Sequence, residues 1–256
     1  MASDAGGAAV TLGVAPQPLP AGMAFNLSTG EVSFRPEHPG SYTLTFSAET
    51  TGERVSETLT VTVPSPAPGA PTVFSGRVLD ANSFSRGDLV PVVGATVSFL
   101  GSAVTATTDS NGNFVLTGLP AGAAMFDIDA AGANPAPGGA SYGSFREHLA
   151  LIPEAFNQEQ RPFFLPRIEA ASLAQVNPVQ TTVVTNPRLG VTLTVPPNTA
   201  KNADGTPFVG QLSISEVPLP LAPVALPETF QPALLVTVQP VGVSFSSPVP
   251  ISYPTD

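Results

Sequence analysis

The sequence predicts an all-β chain built from three β-sandwich modules in series. Apolar residues alternate with Ser and Thr along many short runs, and 30 prolines and 23 glycines interrupt those runs every few residues. Alternation with a period of two places one face of a strand toward a core, while frequent Pro and Gly mark turns. Short strands of this kind suit several small sandwiches better than one large α/β core. We expect modules at 1–64, 72–170 and 171–256, joined first by a proline-rich linker at 65–71.

The first module is predicted from two alternating runs. Tyr42, Leu44 and Phe46 are separated by threonines, and a last strand runs through 55–63. The residues Leu19, Pro20, Gly22, Phe25, Thr29, Gly30, Ser33, Gly40, Tyr42 and Thr45 carry a resemblance to the putative-Ig repeats of bacterial surface proteins. The resemblance implies an Ig-like sandwich. The chain lacks the acidic cluster that follows the penultimate strand in that family, whose oxygens serve an interdomain calcium ion.

The segment that joins the first and second modules, Pro64–Pro71, has four prolines in eight residues. Such a composition favours extended polyproline geometry, about 3.1 Å per residue, and a semi-rigid spacer. A stiff spacer between sandwiches is typical of a stalk.

The second module is predicted from 94–122, where Ala95, Val97 and Phe99 begin three short alternating runs. Asp109-Ser110-Asn111-Gly112 lies between the second and third runs, and Asn-Gly tolerates the positive φ angles of a tight hairpin. Leu119-Pro120-Ala121-Gly122 closes the unit. The sequence of 94–122 resembles the carboxypeptidase regulatory-like family, a transthyretin-type β-sandwich. The resemblance implies a non-catalytic module that is attached to other domains.

The remainder of the second module is less regular. Phe126 and Ile128 predict a strand flanked by acidic residues. Residues 145–156 have apolar side chains at helical spacing behind a nominal capping box of Ser144 and Glu147, but Pro153 and the β-rich surroundings favour a strand plus a loop. An edge strand at 161–168 is expected to close the module.

The third module is predicted from the alternation of Val191, Leu193 and Val195 and from strands at 212–214, 234–238, 241–245 and 249–253. The sequence segments 191–199 and 238–254 resemble the zonula-occludens/ankyrin-type β-sandwich domain. The resemblance does not extend to the final strands of that domain. A chain with these three modules in this order resembles large bacterial surface proteins, some of which carry teneurin-like or YD-repeat regions downstream.

Composition excludes several classes of function. The chain has no cysteine, a formal net charge of −10 and one lysine, Lys201. Thiol chemistry is therefore excluded, and the scattered arginines form no cluster that would bind nucleic acid. No apolar run approaches the roughly 18 residues of a membrane span. Residues 1–6 lack the basic and apolar parts of a signal peptide, which leaves a cytoplasmic protein or a fragment of a longer exported chain, and we expect the fragment.

No catalytic, cofactor-binding or metal site is predicted. His38, in a turn, and His148, at a sheet edge, are the only histidines, and neither has a glycine elbow nearby or enough companions for zinc. Asp127 and Asp129 share one face of a strand, about 7 Å apart, which predicts a solvated sheet face rather than a glycosidase pair.

Several short patterns are interpreted as turns. Asp109, Asn111 and Asn113 begin like a calcium loop, but Phe114 and Pro120 occupy the positions of its Gly and Glu, so a hairpin turn is predicted. The stretch 200–205, which includes Asn202, Asp204 and Gly205, also predicts a turn, a poor place for an isopeptide bond from Lys201. Ser244 precedes Phe245-Ser246 where self-cleaving relatives have histidine. Asn26-Leu27-Ser28 matches a glycosylation sequon by pattern alone.

These observations predict a non-catalytic extracellular structural or adhesion segment, a stalk or spacer of a larger bacterial surface protein. Its expected partners are other domains of the same chain, a surface polysaccharide or protein, or further copies of itself. Two alternatives stay open: a carbohydrate-binding module, although the chain has no Trp and three Tyr, and a subunit of a polymeric surface filament. In the filament, the edge at 249–253 would accept a strand from another chain.

Overall fold

The regular secondary structure of the described residues is almost entirely β-strand, which confirms the predicted all-β class. The computed structural model describes residues 10–20, 23–27, 30–34, 38–50, 53–222 and 232–254. In these ranges the helical segments are α1 (Ala81–Phe84) and 3-10 turns at Ala170–Ser172 and Leu219–Leu221. None of the described helices has the length and apolar character needed to cross a membrane.

The described strands fall into three successive groups, which we name the first, second and third modules. The first contains β1 (Thr11–Ala15), β2 (Met23–Phe25), β3 (Val32–Phe34), β4 (Gly40–Glu49) and β5 (Arg54–Val63). The second contains β6 (Val73–Asp80), β7 (Thr96–Phe99), β8 (Thr105–Thr107), β9 (Asn113–Thr117), β10 (Met125–Asp129), β11 (Phe145–His148), β12 (Phe156–Gln158) and β13 (Phe163–Leu165). The third contains β14 (Ala174–Gln175), β15 (Thr182–Asn186), β16 (Val191–Val195), β17 (Ala200–Lys201), β18 (Gln211–Glu216), β19 (Val236–Gln239), β20 (Ser244–Phe245) and β21 (Ile251–Ser252). Among these described strands, each pairs only within its own module.

The first module packs an antiparallel sheet of order β1-β4-β5 against the β2-β3 hairpin. Phe25 lies 5.8 Å from Phe46 and Phe34 lies 5.1 Å from Tyr42, both measured between ring centroids. Leu44, between those two rings along β4, is buried. The alternation in β4 therefore directs its aromatic face toward the hairpin.

Two residues of the first motif, Gly22 and Thr29, lie outside the described residues, as does Ser28 of the sequon.

The second module has the largest described core. One sheet has the order β11-β10-β7-β8, and the other is organised around β6, which pairs with β9, β12 and β13. Between the two sheets, five phenylalanine rings contact one another with centroid distances of 4.8 to 6.4 Å: Phe74, Phe99, Phe114, Phe126 and Phe163. Such aromatic contacts add about 0.5–1.5 kcal/mol each beyond the burial of area.

The turn at Asp109–Gly112 forms, but the predicted hairpin is wrong in its pairing. β8 pairs with β7, whereas β9 pairs with β6, so the turn carries the chain from one sheet to the other. The Gly112 N–H donates to the Asp109 carbonyl at 2.9 Å, and Gly112 alone within the turn has a positive φ, +77°. Asn111 does not adopt the positive φ that a type I′ hairpin would require.

Residues 145–156 form a strand and a loop, as favoured, and contain no helix. β11 occupies 145–148 and β12 begins at Phe156. β13 closes the module by running parallel to β6, with Phe163 opposite Val78. The other edge of β13 pairs with no further described strand, which agrees with the predicted edge position.

The third module contains three small sheets with the orders β14-β18-β19, β15-β16-β21 and β17-β20. Its core is formed by Val184, Val191, Leu193, Leu212 and Ile214, together with smaller neighbours. The alternating strands β16 and β18 were predicted from the sequence. The two-residue strands β14 and β17 were not, since two residues carry no period.

The linker is not extended throughout, contrary to the polyproline prediction. The Ala70 N–H donates to the Ala67 carbonyl at 3.1 Å, which closes a turn. The Gly69 N–H donates to Oε1 of Glu154 in the second module at 3.1 Å. Gly69 adopts φ +77° here, a conformation that proline cannot reach, so the linker turns where its run of prolines is interrupted.

Candidate functional site

The best-defined polar site of the described chain is a junction between the second and third modules, centred on Ser144 and Gln239. Oε1 of Gln239 accepts from the Ser144 N–H at 2.8 Å and from its hydroxyl at 3.0 Å. Nε2 of Gln239 donates to the Ser144 carbonyl at 3.0 Å, and the Val241 N–H donates to Oγ of Ser144 at 3.0 Å. Gln239 is only 2% exposed. The amide of Gln239 therefore binds the backbone of the other module as a neighbouring strand would.

Local structure makes room for this amide. Ser144 immediately precedes β11, and Gln239 is the last residue of β19. A Cβ atom at Gly143 would lie 2.8 Å from Cδ of Gln239, so glycine at this position permits the close approach. From the sequence, Ser144 was considered only as a helix cap and Gln239 only as part of a motif. The sequence signal that could have indicated this site was the glutamine at the end of a strand that otherwise contains only Val and Thr.

Arginines of the second module add contacts around this centre. Nε of Arg146 donates to Oδ1 of Asp127 at 2.7 Å, and a Cβ atom at Gly242 would lie 3.1 Å from Nη1 of Arg146. The guanidinium of Arg161 donates to the carbonyls of Pro220 at 3.0 Å and Ala222 at 3.3 Å. Arginine suits this role because its several donors lie in one rigid plane.

Apolar side chains from both modules line a cavity of about 280 Å³ beside these contacts. Phe145, Phe163 and Phe164 line it from the second module, and Leu221 and Leu235 line it from the third. The junction thus has an apolar part flanked by hydrogen bonds.

A second ion-paired cluster lies where the chain passes into the third module. Nη2 of Arg188 contacts Oε1 of Glu169 at 2.5 Å and Oε2 of Glu216 at 2.8 Å. Hydrogen bonding to Glu169 and then to Glu216 outweighs partial burial, and it raises the pKa of Arg188 above its ordinary value. Since about half of the Arg188 side chain is exposed, solvent screens these pairs and their contribution to stability is small.

The face of the third module that carries Gln239 is buried along β18 as well. Ser213 lies opposite Gln239 and Ser215 lies opposite Thr237, so all four side chains share one face of the sheet. Ser213 and Ser215 are buried, and their hydroxyls have no hydrogen-bond partner in the protein. Small side chains at these positions let another surface approach the sheet closely.

The most deeply buried charge among the described residues is Asp80, which is 0% exposed. Nε of Arg167 donates to Oδ2 of Asp80 at 2.7 Å, and Oδ1 of Asp80 caps the start of α1 by accepting a hydrogen bond from the Ser83 N–H. Burial would raise the pKa of Asp80, but hydrogen bonds from Arg167, the Ser83 N–H and Tyr142 together hold it below the ordinary value. Burial and the neighbouring carboxylate raise the pKa of Tyr142. These groups neutralise one another inside the second module.

The two histidines lie apart from the junction centre. His38 lies in a bend, where its carbonyl accepts a hydrogen bond from the Tyr42 hydroxyl. His148 is exposed at the end of β11, an outer strand of its sheet. Within the described ranges, no three His, Asp or Glu side chains are grouped so that they could hold a metal ion.

The acidic pair of β10 differs from its prediction. Asp127 is ion-paired with Arg146 and its side chain is only 16% exposed, so the expected solvated face is wrong at this residue. Asp129 is exposed, and its carboxylate accepts from the Ala131 N–H at 2.9 Å. β11 explains the difference, because it places Arg146 directly opposite Asp127.

The Asp109 carboxylate of the calcium-like pattern at 109–113 accepts hydrogen bonds from backbone N–H groups of its own turn. Oδ1 of Asp109 accepts from the N–H groups of Asn111 and Asn113, both at 2.8 Å. Hydrogen bonds from the Asn113 and Asn111 N–H groups lower the pKa of this exposed carboxyl. The predicted turn is confirmed at these residues.

The turn at 202–206 also forms: the Gly205 N–H donates to the Asn202 carbonyl, and the Asp204 carboxylate accepts from Thr206. Lys201 itself was predicted in the turn and instead lies in β17, opposite Ser244 of β20. Ser246, the residue of the self-cleavage pattern, donates from its N–H to the Thr199 carbonyl at 2.9 Å.

Comparison with known families identifies two parts of the chain. Residues 1–64 match the "Putative Ig domain" family, and residues 73–139 match the carboxypeptidase regulatory-like domain. Two separate segments of the chain therefore resemble known domain families. Of the three resemblances inferred from the sequence, these two are confirmed for the matched residues. The Ig match corresponds to the first module, and the regulatory-like match covers β6 to β10 of the second.

Two solved structures show a weak likeness. The human protocadherin-24 EC1-2 structure is 13% identical, with 62% of this chain and 87% of that chain covered and a TM-score of 0.21. The Bacillus anthracis TIE protein is 12% identical, with 79% of this chain and 48% of that chain covered and a TM-score of 0.22. Scores of this size establish no shared arrangement. No curated protein matches the chain in sequence.

Proposed function

We propose that this chain is a non-catalytic spacer segment of a longer bacterial surface protein, in which successive β-sandwich modules hold neighbouring domains at a defined separation and orientation outside the cell. The single observation that carries the proposal is the hydrogen-bonded junction of Ser144, Gln239 and Val241. The Ig and carboxypeptidase regulatory-like matches support it, because such modules are used as attachments.

A junction of this kind restrains the angle between modules. Domains joined by small polar interfaces are expected to move relative to one another. Here the Gln239 amide binds both the N–H and the carbonyl of Ser144, so rotation about the junction would break several hydrogen bonds together. Arg161 restrains a second point, on the Pro220 and Ala222 carbonyls. Two separated points of attachment resist both twisting and bending.

The linker adds a restraint on the other side of the second module. Besides the Gly69–Glu154 hydrogen bond, the Glu154 N–H donates to Oγ1 of Thr72 at 2.8 Å. The linker and the 149–159 segment line a cavity of about 460 Å³ that is mostly apolar. Proline keeps the remainder of the linker stiff, so the Ig domain is tethered close to the next module rather than on a loose chain.

The chemistry of the charged groups fits a structural role. Asp80, Asp127, Arg167 and Arg188, which carry the ion pairs of the second and third modules, are each engaged with a protein partner. A cleft of about 820 Å³ is bordered by Arg188 and its two carboxylates, and these charges are already paired. The hydrogen bonds of these ion pairs lower the pKa of Asp80 and raise that of Arg188, as expected of structural ion pairs.

Distance measurements between spin labels test the proposal directly. Since the chain has no cysteine, Ser110→Cys and Ala203→Cys label exposed turns of the second and third modules without background. We expect one narrow distance distribution, which broadens when Gln239→Ala is added. A matched pair within the second module, Leu100→Cys with Ser110→Cys, should be insensitive to Gln239→Ala. A broad distribution in the otherwise unaltered chain would overturn the proposal.

A further inference from the structure

β5 has a long outer edge that no described strand covers. It pairs with β4 over all ten residues, from Arg54 to Val63, and it is the last strand in the order β1-β4-β5. On its opposite side, the backbone N–H and C=O groups of β5 pair with no described strand, and an edge of this kind is a template for another strand.

Several other described outer strands are short, charged or followed by proline, whereas β5, with ten residues, is the longest of the described outer strands. β8, β12, β13 and β21 are two or three residues long, β11 carries Arg146 and Glu147 in its middle, and β1 is followed by Pro16 and Pro18. Short strands, charges and prolines are the usual means of preventing edge-to-edge pairing. Between its ends, β5 has Glu57 as its only charged residue.

The side chains of β5 are also exposed on the face that should be buried. Leu59 lies opposite the buried Leu44, yet Leu59 is 51% exposed and Val55 is 56% exposed. The rings of Phe25 and Phe34 cover β4 through Phe46 and Tyr42, and they leave this part of β5 uncovered. The opposite face carries threonines whose hydroxyls pair with those of β4.

We propose that β5 pairs antiparallel with β5 of a second copy of this chain, with the two Leu59 residues facing each other across a two-fold axis. In this register Val55 faces Val63 of the second copy, and Thr58 faces Thr60. Apolar side chains meet on one face and threonines meet on the other, as the period of two requires. The inference does not depend on the proposed spacer role.

The threonine rows favour this register and this occupant. Within the chain, the hydroxyl oxygens of Thr43 and Thr60 are 3.2 Å apart, and those of Thr45 and Thr58 are 3.3 Å apart. Pairing of β5 with its copy places Thr60 beside Thr58 of the copy, so each row continues across four strands. Cross-strand threonine pairs stabilise a sheet by about 0.2–1 kcal/mol each. A second copy supplies this pattern by symmetry.

Charge and size set the strength of the pairing. Glu57 faces Val61 of the copy, and the two Glu57 side chains are four residues, about 14 Å, apart along the seam. That separation exceeds the Debye length at physiological salt, so their repulsion is screened. A ten-residue seam covers roughly 400–500 Å² per partner, which belongs to the weak class of interface. We therefore expect a dimer that forms at concentrations on the order of 100 µM.

Cysteine cross-linking of the full chain tests the register. Leu59→Cys should form a disulfide-linked dimer under mild oxidation, because facing residues of antiparallel strands have Cα atoms about 4.5–5.5 Å apart. Val55→Cys is the matched control: it is equally exposed, but its counterpart in the copy lies eight residues away, so it should not cross-link with itself. A mixture of Val55→Cys and Val63→Cys chains should cross-link. Equal self-cross-linking of Leu59→Cys and Val55→Cys would refute the register.

Sedimentation tests the surface. The unaltered chain should dimerise with rising concentration, and Leu59→Lys should abolish the dimer while circular dichroism confirms that the chain stays folded. Val115→Lys, at a similarly exposed position of the second module, should leave the dimer unchanged. A chain that stays monomeric at millimolar concentration, or a dimer that survives Leu59→Lys, would overturn the proposal.

Discussion

Replacement of Gln239 by alanine is the sharpest perturbation of the junction. The variant removes three hydrogen bonds to Ser144, which have donor–acceptor distances of 2.8 to 3.0 Å, without changing the backbone of either module. A hydrogen bond of this kind contributes about 0.5–1.5 kcal/mol net, and two of the three share one acceptor atom. We expect the free energy of unfolding of the joined modules to fall by about 2–3 kcal/mol.

Calorimetry and hydrogen exchange measure this effect. For a unit of about 150–250 residues, each kcal/mol lowers the melting temperature by roughly 2–4 °C, so a decrease of about 5–10 °C is expected. Exchange of the Ser144 N–H should accelerate, since it loses its acceptor. The Val176 N–H, which donates to the Gly210 carbonyl at 2.9 Å inside the third module, should stay protected in the native state.

Gln180→Ala provides the matched control. Gln180 is exposed, and its side chain accepts one long contact from Asn177, at 3.4 Å. Its replacement should change the free energy of unfolding by less than about 0.5 kcal/mol, as is usual for surface positions. If Gln239→Ala destabilises no more than Gln180→Ala, the junction does not hold the modules together and the reasoning fails.

Three further predictions concern the interior of the second module. Gly112→Ala should lower the free energy of unfolding of this module by about 3–5 kcal/mol, because Gly112 has a φ of +77° and the added Cβ would lie 2.3 Å from the Val78 carbonyl oxygen. Gly101 has a φ of +82° and open space around it, so Gly101→Ala should cost only about 1–2 kcal/mol in the same denaturant titration. Equal losses in the two variants would show that the added Cβ at Gly112 makes no clash. Asp80→Asn should cost about 3–5 kcal/mol, because Arg167, whose side chain is only 17% exposed, loses its charged partner. Thermal unfolding measures this loss, and a loss below about 1 kcal/mol would contradict the prediction. Because folding lowers the pKa of Asp80, the stabilising contribution of its carboxylate is complete above the ordinary value of 3.8 and is lost as pH falls through the lower pKa of the folded state. The free energy of unfolding, measured across this pH range, should therefore decline less in Asp80→Asn than in the unaltered chain. Parallel pH profiles of the two proteins would refute the lowered pKa of Asp80.

Much of the local structure follows from residue types. The alternation in β4, β7, β10 and β16 is a local property of the pleat, and it correctly indicated which residues share a face. Gly112 was correctly identified as a turn residue, because only a residue without Cβ reaches φ +77° easily. The families of 1–64 and 73–139 were likewise identified from short motifs of turn and core residues.

What covers each face was decided by tertiary structure alone. β18 alternates Leu212 and Ile214 with Ser213 and Ser215, a pattern that predicts a solvated serine face, yet both serines are buried. Similarly, Asp127 is ion-paired with Arg146 and largely shielded from solvent, because the neighbouring strand β11 places Arg146 opposite it.

The junction itself joins Ser144 and Gln239, which are 95 residues apart. A periodic pattern records how a strand is pleated, but it carries no information about which distant backbone a buried amide will meet. The sequence by itself therefore determined the all-β class, most of the longer strands and the resemblance of two segments to known families. Tertiary packing alone decided the pairing of β8 and β9 with different sheets inside the second module, the burial of the serine face and the hydrogen-bonded junction between modules, because each of these depends on contacts that no local pattern records.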